Sequence, residues 1–179
     1  MKRFFLPLLL LLFLVLEGVA PEILPRDLIN GKLYIIPHWV LVFSIMITIF
    51  YDLDHTFYAV LYGVIFGFII DVVYTDVLGV YMFFYGVVNY FIHGLKLVLH
   101  SNLFIALLLV ALGVTLADVG LYVTYNFIGI ADVTWQDYAM SRLIPTVVAN
   151  LLFLIVIYPL FKGKLEQWSE LQLNKKKIV

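Results

Sequence analysis

Apolar residues gather in six runs along the chain, and short polar breaks separate these runs. They cover residues 4–20, 35–51, 56–74, 78–97, 102–128 and 142–161. A helix needs about 20 residues to cross a bilayer, so the first two runs are near the short limit, and the fifth can span with tilt. The pattern predicts an all-α polytopic membrane protein, with six transmembrane helices in residues 1–161 and a basic tail at residues 162–179.

The composition agrees with a membrane setting. Hydrophobic residues make up 64% of the 179 residues, charged residues make up 13%, and the mean hydropathy is +1.07. Soluble domains contain roughly 45–50% apolar and about 25% charged residues. No stretch outside the apolar runs is long enough to bury a core of its own. The absence of cysteine excludes disulfides, thiol catalysis and cysteine metal sites, and the net charge of -1 gives no reason to expect nucleic-acid binding.

The first apolar run has an alternative interpretation as a secretory signal peptide. Two basic residues precede it, and Gly18-Val19-Ala20 offers small residues for cleavage. Pro21 directly after that site is unfavourable for cleavage, and Glu17 is out of place in a signal peptide. Removal of the run would also leave an odd number of spans, so we interpret it as the first transmembrane helix.

The positions of lysine and arginine predict the orientation of the six spans. With both termini in the cytoplasm, eight basic residues lie inside and three lie outside. The inside set is Lys2, Arg3, Lys96, Lys162, Lys164, Lys175, Lys176 and Lys177, and the outside set is Arg26, Lys32 and Arg142. The tail carries Leu165, Trp168 and Leu171 at helical spacing, so it could bind anionic lipid as an amphipathic helix. Its alternatives are a topology anchor and a docking site for a cytoplasmic partner.

Two glycines and an acid form a line on the third span. Gly63, Gly67 and Asp71 are four residues apart, so they share one helix face. The glycines open a flat track for another helix, and the acid on the same track is turned away from lipid. This face could receive either a neighbouring helix of the same chain or the helix of a partner protein.

Arg142, Thr146 and Asn150 form a second polar line, spaced four residues apart, at the start of the sixth span. Together the two lines predict an outer polar cluster. The predicted orientation places the three acids Glu17, Asp71 and Asp118 in the outer half of the membrane, where Arg142 is expected to face one or more of them and to pair the third helix with the sixth. The cluster could be a structural ion pair, a partner-docking site or a ligand site. Its predicted members are Glu17, Asp71, Asp118, Arg142, Thr146 and Asn150.

Two further local features are predicted around these lines. Asn89 and His93 form an inner polar pair at i, i+4 on the fourth span, which helix-to-helix hydrogen bonding would explain. Upstream of the sixth span, Thr134 and Asp137 fit a capping box, so a helix is predicted to start near residue 135 and to bend at Pro145.

The sequence gives no support to enzyme chemistry. An intramembrane aspartyl protease would need Asp71 and Asp118 to face each other and share a proton, but Asp118 lacks the Gly-x-Gly-Asp surround of such enzymes. No His-Glu-x-x-His pair, Gly-x-Ser-x-Gly elbow or phosphate loop occurs. His55 with Asp52 and Asp54 could hold a cation but fits an ordinary solvated turn. We therefore expect no catalytic residue, cofactor or metal.

The order of several short motifs resembles the MreD family of rod shape-determining membrane proteins over nearly the full length. Each motif is weak alone, but their order and spacing within a six-span frame are specific. The acidic residues between the second and third spans match nothing in the family pattern. The motifs are Lys2-Arg3 before a leucine-rich span that ends in Glu17-Gly18, Ile36-Pro37-His38, the run from Tyr62 through Gly63 and Gly67 to Asp71, Leu78-Gly79-Val80-Tyr81, and Arg142-Leu143-Ile144-Pro145-Thr146 followed by Asn150.

The resemblance implies a non-enzymatic scaffold of the elongation machinery in the bacterial cell membrane. Proteins of this family bind the single-span protein MreC, and through it they link MreB filaments to the RodA glycosyltransferase and its transpeptidase partner in peptidoglycan synthesis. The family is also similar in fold to the S components of energy-coupling-factor vitamin transporters. The alternative function is therefore a small-molecule binder, with a pocket lined by Glu17, Asp71, Asp118, Arg142 and aromatic residues.

Overall fold

The computed structural model describes residues 5–23, 33–99 and 101–176, and every regular element in these ranges is helical. The basic residues predicted at positions 2, 3, 26, 32 and 177 lie outside the described residues. The elements are α1 (Phe5–Ile23), α2 (Trp39–Phe50), α3 (Tyr58–Tyr74), α4 (Val80–Lys96), α5 (Leu103–Phe127), the single turn α6 (Trp135–Tyr138), a π-helical segment (Ala139–Leu143) and α7 (Ile144–Lys176). The all-helical class predicted from the sequence is therefore confirmed.

Helix α2 lies at the centre of the fold. Every residue from Val40 to Phe50 is buried, and the helix packs against α1, α3, α4, α5 and α7. A helix that is apolar on all sides buries all of its faces, which agrees with this central position. With 12 residues, α2 is shorter than the predicted span at 35–51, because residues 33–38 before it form a non-helical segment.

Pro145 leaves a backbone carbonyl free to bind the non-helical segment 33–38. A proline has no backbone N–H, so the carbonyl four residues before it loses its helical partner. That carbonyl belongs to Ser141, and it instead accepts a 2.7 Å hydrogen bond from the backbone N–H of Tyr34. The π-helical segment directly before Pro145 marks the same interruption. The proline thus provides a backbone acceptor for a segment that has no helical hydrogen bonds of its own.

The predicted N-cap at Thr134 and the predicted helix start near residue 135 are confirmed. The backbone N–H of Asp137 donates to Thr134 Oγ1 at 3.3 Å, and the Thr134 hydroxyl donates to Asp137 Oδ2 at 2.7 Å. Helix α6 begins one residue after Thr134, as the spacing indicates.

The basic tail continues α7 without a break and packs on the rest of the chain. Leu165 is fully buried, and the Trp168 ring stacks on Phe5 with 6.2 Å between centroids. Gln172 Nε2 donates to the carbonyl of Tyr51 at 3.3 Å. These contacts place the start of α1, the end of α2 and the end of α7 at the same end of the bundle.

Two helical stretches of the described residues are long and apolar enough to cross a membrane. They are Leu103–Phe127 and the continuous stretch Trp135–Asn174, and both have a mean hydropathy above 2 in their most apolar window. The apolar helices Phe5–Ala20, Trp39–Phe50 and Tyr58–Tyr74 are shorter. The fold is therefore that of an apolar helical bundle with two full-length spanning candidates.

Candidate functional site

The main polar site is the Asp118 network, which consists of Asp118, Arg142, Tyr138, His38 and Tyr85. Asp118 lies on α5 and is fully buried. Its Oδ1 accepts from Arg142 Nη2 at 2.8 Å and from Arg142 Nε at 3.2 Å. Its Oδ2 accepts from the Tyr138 hydroxyl at 2.6 Å. The carboxylate is thus buried with both a charge partner and hydrogen-bond donors, as a charge in an apolar interior requires.

His38 extends the Asp118 network to α4. Its Nε2 lies 3.4 Å from Asp118 Oδ1, and its Nδ1 lies 2.9 Å from the Tyr85 hydroxyl. Both His38 and Tyr85 are fully buried. A neutral imidazole with its proton on Nε2 satisfies both contacts, because Nε2–H donates to Asp118 while the Tyr85 hydroxyl donates to Nδ1. The network therefore joins the start of α2 with α4, α5, α6 and the π-helical segment.

Sequence reasoning missed three members of this network. Tyr138 lies four residues before Arg142, and this helical spacing was an available signal for it. His38 and Tyr85 gave no such signal, because each reaches the network from a different element of the fold. Their contacts depend on how the helices are rotated, which spacing within one helix does not report.

Arg142 meets one of the three acids expected for it, Asp118, whereas the expected pairing of the third helix with the sixth through Asp71 is wrong. Asp71 is fully buried near the end of α3, and its carboxylate accepts from the backbone N–H groups of Gly79 at 3.0 Å, Tyr81 at 2.9 Å and Met82 at 3.0 Å. These amides lie at the start of α4, where the first N–H groups of a helix have no helical partner. Asp71 therefore caps the following helix across the tight turn, and Arg142 pairs with Asp118 instead.

The glycine track on α3 is covered by α4 of the same chain. A Cβ placed on Gly63 would lie 2.9 Å from the carbonyl oxygen of Tyr85, and one placed on Gly67 would lie 2.8 Å from Cα of Met82. Side chains at these positions would force two backbones apart, which is the close approach that small residues permit. Of the two interpretations of the track, the structure favours packing within the chain.

Among the described residues, Glu17 has no hydrogen bond or ion pair with Arg142, so the six residues predicted for the outer cluster do not form one contact set. Glu17 Oε2 accepts from the backbone N–H of Val40 at 3.0 Å, in the first turn of α2. Glu17 therefore caps α2 in the same way as Asp71 caps α4. Within the described residues, Arg142 and Asp118 form the ion pair of this region, and the other two predicted acids bind helix starts.

Thr146 and Asn150 hold the non-helical segment 33–38 against α7. Thr146 Oγ1 accepts from the backbone N–H of Ile36 at 3.1 Å. Asn150 Oδ1 accepts from the backbone N–H of His38 at 2.8 Å, and Asn150 Nδ2 donates to the carbonyl of Ile36 at 3.0 Å. Non-helical backbone at membrane depth must find its partners inside the protein. The second polar line supplies such partners and also positions His38.

The two residues of the predicted inner pair, Asn89 and His93, bind different partners. Asn89 is fully buried, donates to Ser44 Oγ at 2.9 Å and accepts from Thr48 Oγ1 at 3.1 Å, so it links α4 to α2. His93 Nε2 lies 3.3 Å from the carbonyl oxygen of Asp54 in the loop after α2. His93 Nδ1 is buried and has no hydrogen-bond partner among the described residues.

The loop between α2 and α3 is organised by Asp52. Its carboxylate accepts from the backbone N–H groups of Tyr58 at 3.1 Å and Ala59 at 3.0 Å, so it caps α3. Lys96 Nζ donates to the backbone carbonyl of Asp52. Burial raises the pKa of the Asp52 carboxyl to about 6, and the two amide hydrogen bonds and the nearby Lys96 limit the rise. This loop is therefore a structured cap rather than an ordinary solvated turn.

A cavity of about 410 Å³ opens beside Arg142. We call it the tyrosine cavity, and its lining is mostly apolar. Two of its walls, Tyr122 and Tyr138, stack with 3.9 Å between ring centroids. Neither Glu17 nor Asp71 lines it, so it differs from the pocket expected from the sequence. Its lining residues are Tyr34, Ile36, Tyr122, Tyr125, Ile130, Ala131, Val133, Tyr138, Ser141 and Arg142.

The geometry places the two buried aspartates in separate environments. Asp71 binds backbone amides at the start of α4, while Asp118 binds Arg142, Tyr138 and His38. Two carboxyls with separate partners do not form the proton-sharing pair of an aspartyl protease. Within the described residues, no group of three or more His, Cys, Asp or Glu side chains is arranged to hold a metal ion.

Composition and fold together define the class as a small all-helical membrane protein with paired buried charges. The chain belongs to the MreD family, because the family model described as rod shape-determining protein MreD matches residues 2–167. The chain is also 30% identical over 164 residues to the rod shape-determining protein MreD of Bacillus subtilis (strain 168). The aligned region covers 90% of this chain and 94% of that protein. No solved structure gives a significant match. The family identified from the motif order is therefore confirmed.

Proposed function

We propose that this protein is a non-enzymatic scaffold of the bacterial elongation machinery that crosses the cell membrane six times. Membership of the MreD family supports a role in rod shape determination. The observation that carries the scaffold role is that the carboxylates of Glu17, Asp71 and Asp118 cap helices or pair with Arg142 inside the chain. Such groups shape and stabilise the bundle, so the working part of the protein is its surface.

The proposed partner is an MreC-like single-span protein, which would link this protein to MreB filaments, RodA and its transpeptidase partner. Because α4 covers Gly63 and Gly67, the helix of this partner would bind another face of the bundle. The outer faces of α3, α4 and α7 expose many apolar side chains, including Phe68, Tyr90 and Leu152. In a membrane, such faces are open both to lipid and to a transmembrane helix.

Co-purification tests the scaffold. The tagged protein and the single-span product of a neighbouring gene would be co-expressed, solubilised in mild detergent and recovered on the tag. We expect stoichiometric recovery with the wild type, and reduced recovery with Arg142→Gln and Asp71→Asn, because these variants loosen the bundle that presents the surface. The basic-tail variant Lys164→Gln serves as the control, because Lys164 is exposed and contacts neither Arg142 nor Asp71.

Two results would count against this proposal. Failure of the wild type to recover the single-span protein would contradict partner binding. Full recovery with both Arg142→Gln and Asp71→Asn, at wild-type levels of membrane insertion, would contradict the idea that the buried polar contacts shape the binding surface.

A second candidate function is small-molecule binding of the S-component type. The tyrosine cavity favours it, since its volume falls within the range of roughly 300–1,000 Å³ that is usual for ligand pockets. Thermal stabilisation of the detergent-purified protein by members of a vitamin panel would support it. No shift across that panel, together with robust recovery of the single-span protein, would favour the scaffold alone.

A further inference from the structure

The tyrosine cavity combines apolar walls with a cationic side chain. The tyrosine rings and the aliphatic side chains of Ile36, Ile130 and Val133 provide the walls, and Arg142 is the one charged residue among the described residues that line it. Tyr34, at 54% exposure, remains accessible from outside the bundle. A ligand that matches this surface has an apolar body and one group that accepts hydrogen bonds from a guanidinium.

Contacts with the described part of the chain use only part of the hydrogen-bonding capacity of Arg142. A guanidinium has five N–H donors on three nitrogen atoms. Nε and Nη2 contact Asp118 Oδ1, whereas Nη1 has no hydrogen-bond partner among the described residues. The Arg142 side chain is 30% exposed, while Asp118 is fully buried and does not line the cavity. A ligand anion would therefore meet the guanidinium before the carboxylate behind it.

We propose that the tyrosine cavity binds an amphiphile that carries one anionic group, a carboxylate or a phosphate, on an apolar body. The anionic group binds the remaining donors of Arg142, in the planar geometry that suits carboxylate and phosphate oxygens. The apolar body lies against the stacked rings of Tyr122 and Tyr138. The ligand is either a membrane lipid, through its phosphate, or a soluble aromatic carboxylate. This inference rests on the second candidate function and names its ligand class.

Thermal unfolding of the purified full-length protein in a neutral detergent tests this site. The probes are dihexanoyl phosphatidic acid for the lipid and 4-phenylbutyrate for the soluble carboxylate, with dihexanoylglycerol and 4-phenylbutanol as uncharged counterparts. At ten times the Kd, we expect an anionic probe to raise the Tm by about 3–6 °C. The uncharged counterparts should give less than half of this shift, because they lack the group that binds Arg142.

Two variants connect the shift to the cavity. Ala131→Trp places a large side chain in the cavity and leaves the Asp118 network intact, so it should abolish the ligand-dependent shift. Met140→Trp is its matched control, because Met140 is 65% exposed and does not line the cavity. Should Ala131→Trp fold poorly, Tyr34→Ala removes one wall and should weaken binding at least tenfold.

The outcomes separate this inference from the scaffold proposal. A shift with the phosphate probe identifies a lipid ligand, a shift with the carboxylate probe identifies a soluble one, and either supports the inference when Ala131→Trp or Tyr34→Ala reduces it. No shift with either anionic probe, or an equal shift in those variants, overturns it. Co-purification with the single-span protein decides the scaffold proposal independently of these results.

Discussion

At the scale of single residues, three acids act as caps for helices that follow in the chain. Glu17, Asp52 and Asp71 each accept hydrogen bonds from backbone N–H groups at the start of α2, α3 and α4 respectively. A helix start carries unpaired donors and a partial positive charge, so an acid there satisfies both. In an apolar bundle no water replaces such a partner, and this requirement accounts for carboxylates at positions where lipid would disfavour them.

Arg142 and Asp118 make a pair that a double-mutant cycle can measure. Arg142→Gln leaves a buried carboxylate without its cation, so we expect a loss of about 3 kcal/mol and a fall in Tm of roughly 6–12 °C. Asp118→Asn alone should cost a similar amount. The double variant should cost clearly less than the sum of the two, because it buries no unpaired charge. Additive losses, measured by thermal unfolding in detergent, would contradict the pair.

Asp52 gives a pH dependence of stability. Its pKa is raised from 3.8 to about 6 in the fold, so the neutral carboxyl is favoured there. Its contribution is therefore fully present below pH 3.8 and is lost as the pH rises through 6. At about 1.36 kcal/mol per pKa unit, the loss amounts to about 3 kcal/mol.

Asp52→Asn removes this titration while keeping one oxygen that can accept from the amides of α3. The Tm of the wild type minus that of Asp52→Asn should fall between pH 4 and pH 7, as measured by thermal unfolding in the same detergent. Parallel Tm curves for the two proteins over that range would show that Asp52 does not titrate there.

At the scale of elements, α3 and α4 form a close pair because of two glycines. Gly67→Ala would place a Cβ 2.8 Å from Cα of Met82, so the two helices must separate. We expect a loss of about 1–3 kcal/mol. The matched control is Gly94→Ala on α4, where a Cβ would meet no atom within 4 Å, and which should gain up to about 1 kcal/mol from helix propensity. Equal thermal stability of the two alanine variants would argue against close packing at Gly67.

The sequence could predict where the helices lie but not all of their partners. The predicted run at 102–128 is nearly the same as α5, Leu103–Phe127, because a long apolar run has few other ways to fold. The run at 35–51 is part non-helical and part helix, because Ser141 in the π-helical segment and Thr146 and Asn150 on α7 satisfy the non-helical backbone. That contact spans more than 100 residues, so no local pattern reports it.

Spacing along a helix likewise predicts which residues of a polar line share a face, but not which residues lie opposite them. Spacing of four residues shows that Gly63, Gly67 and Asp71 share one face, and the structure has all three against α4. Spacing does not show which element faces that line, so the sequence leaves Glu17, Asp71 and Asp118 all open as partners of Arg142, and the structure has Asp118 in that place. The identity of the opposing residue depends on the rotation of the helices, which only the assembled bundle determines.

At the scale of the whole molecule, two polar regions lie at opposite ends of an apolar bundle. The Asp118 network and the tyrosine cavity lie at the end where α2 begins, and the Asp52 loop lies at the end where α2 finishes. The packed tail, through Gln172 and Trp168, belongs to the second end. The positive-inside rule assigns this second end to the cytoplasm, so the tyrosine cavity is expected to face outward.

Cysteine labelling can test this orientation because the native chain contains no cysteine. Single cysteines would replace Asp76 and Asp132 at the expected outer end, and Asp54 and Glu170 at the expected inner end, all of which are exposed. A membrane-impermeant maleimide should label the first two in spheroplasts and the second two only in inverted vesicles. With six spans, Asp76 and Asp132 must lie on one side of the membrane, and Asp54 and Glu170 on the other. Asp54 precedes α3 and Asp76 follows it, so these two positions report whether α3 crosses the membrane. Labelling of positions 54 and 76 from the same side would contradict a crossing by α3, and with it the six-span arrangement.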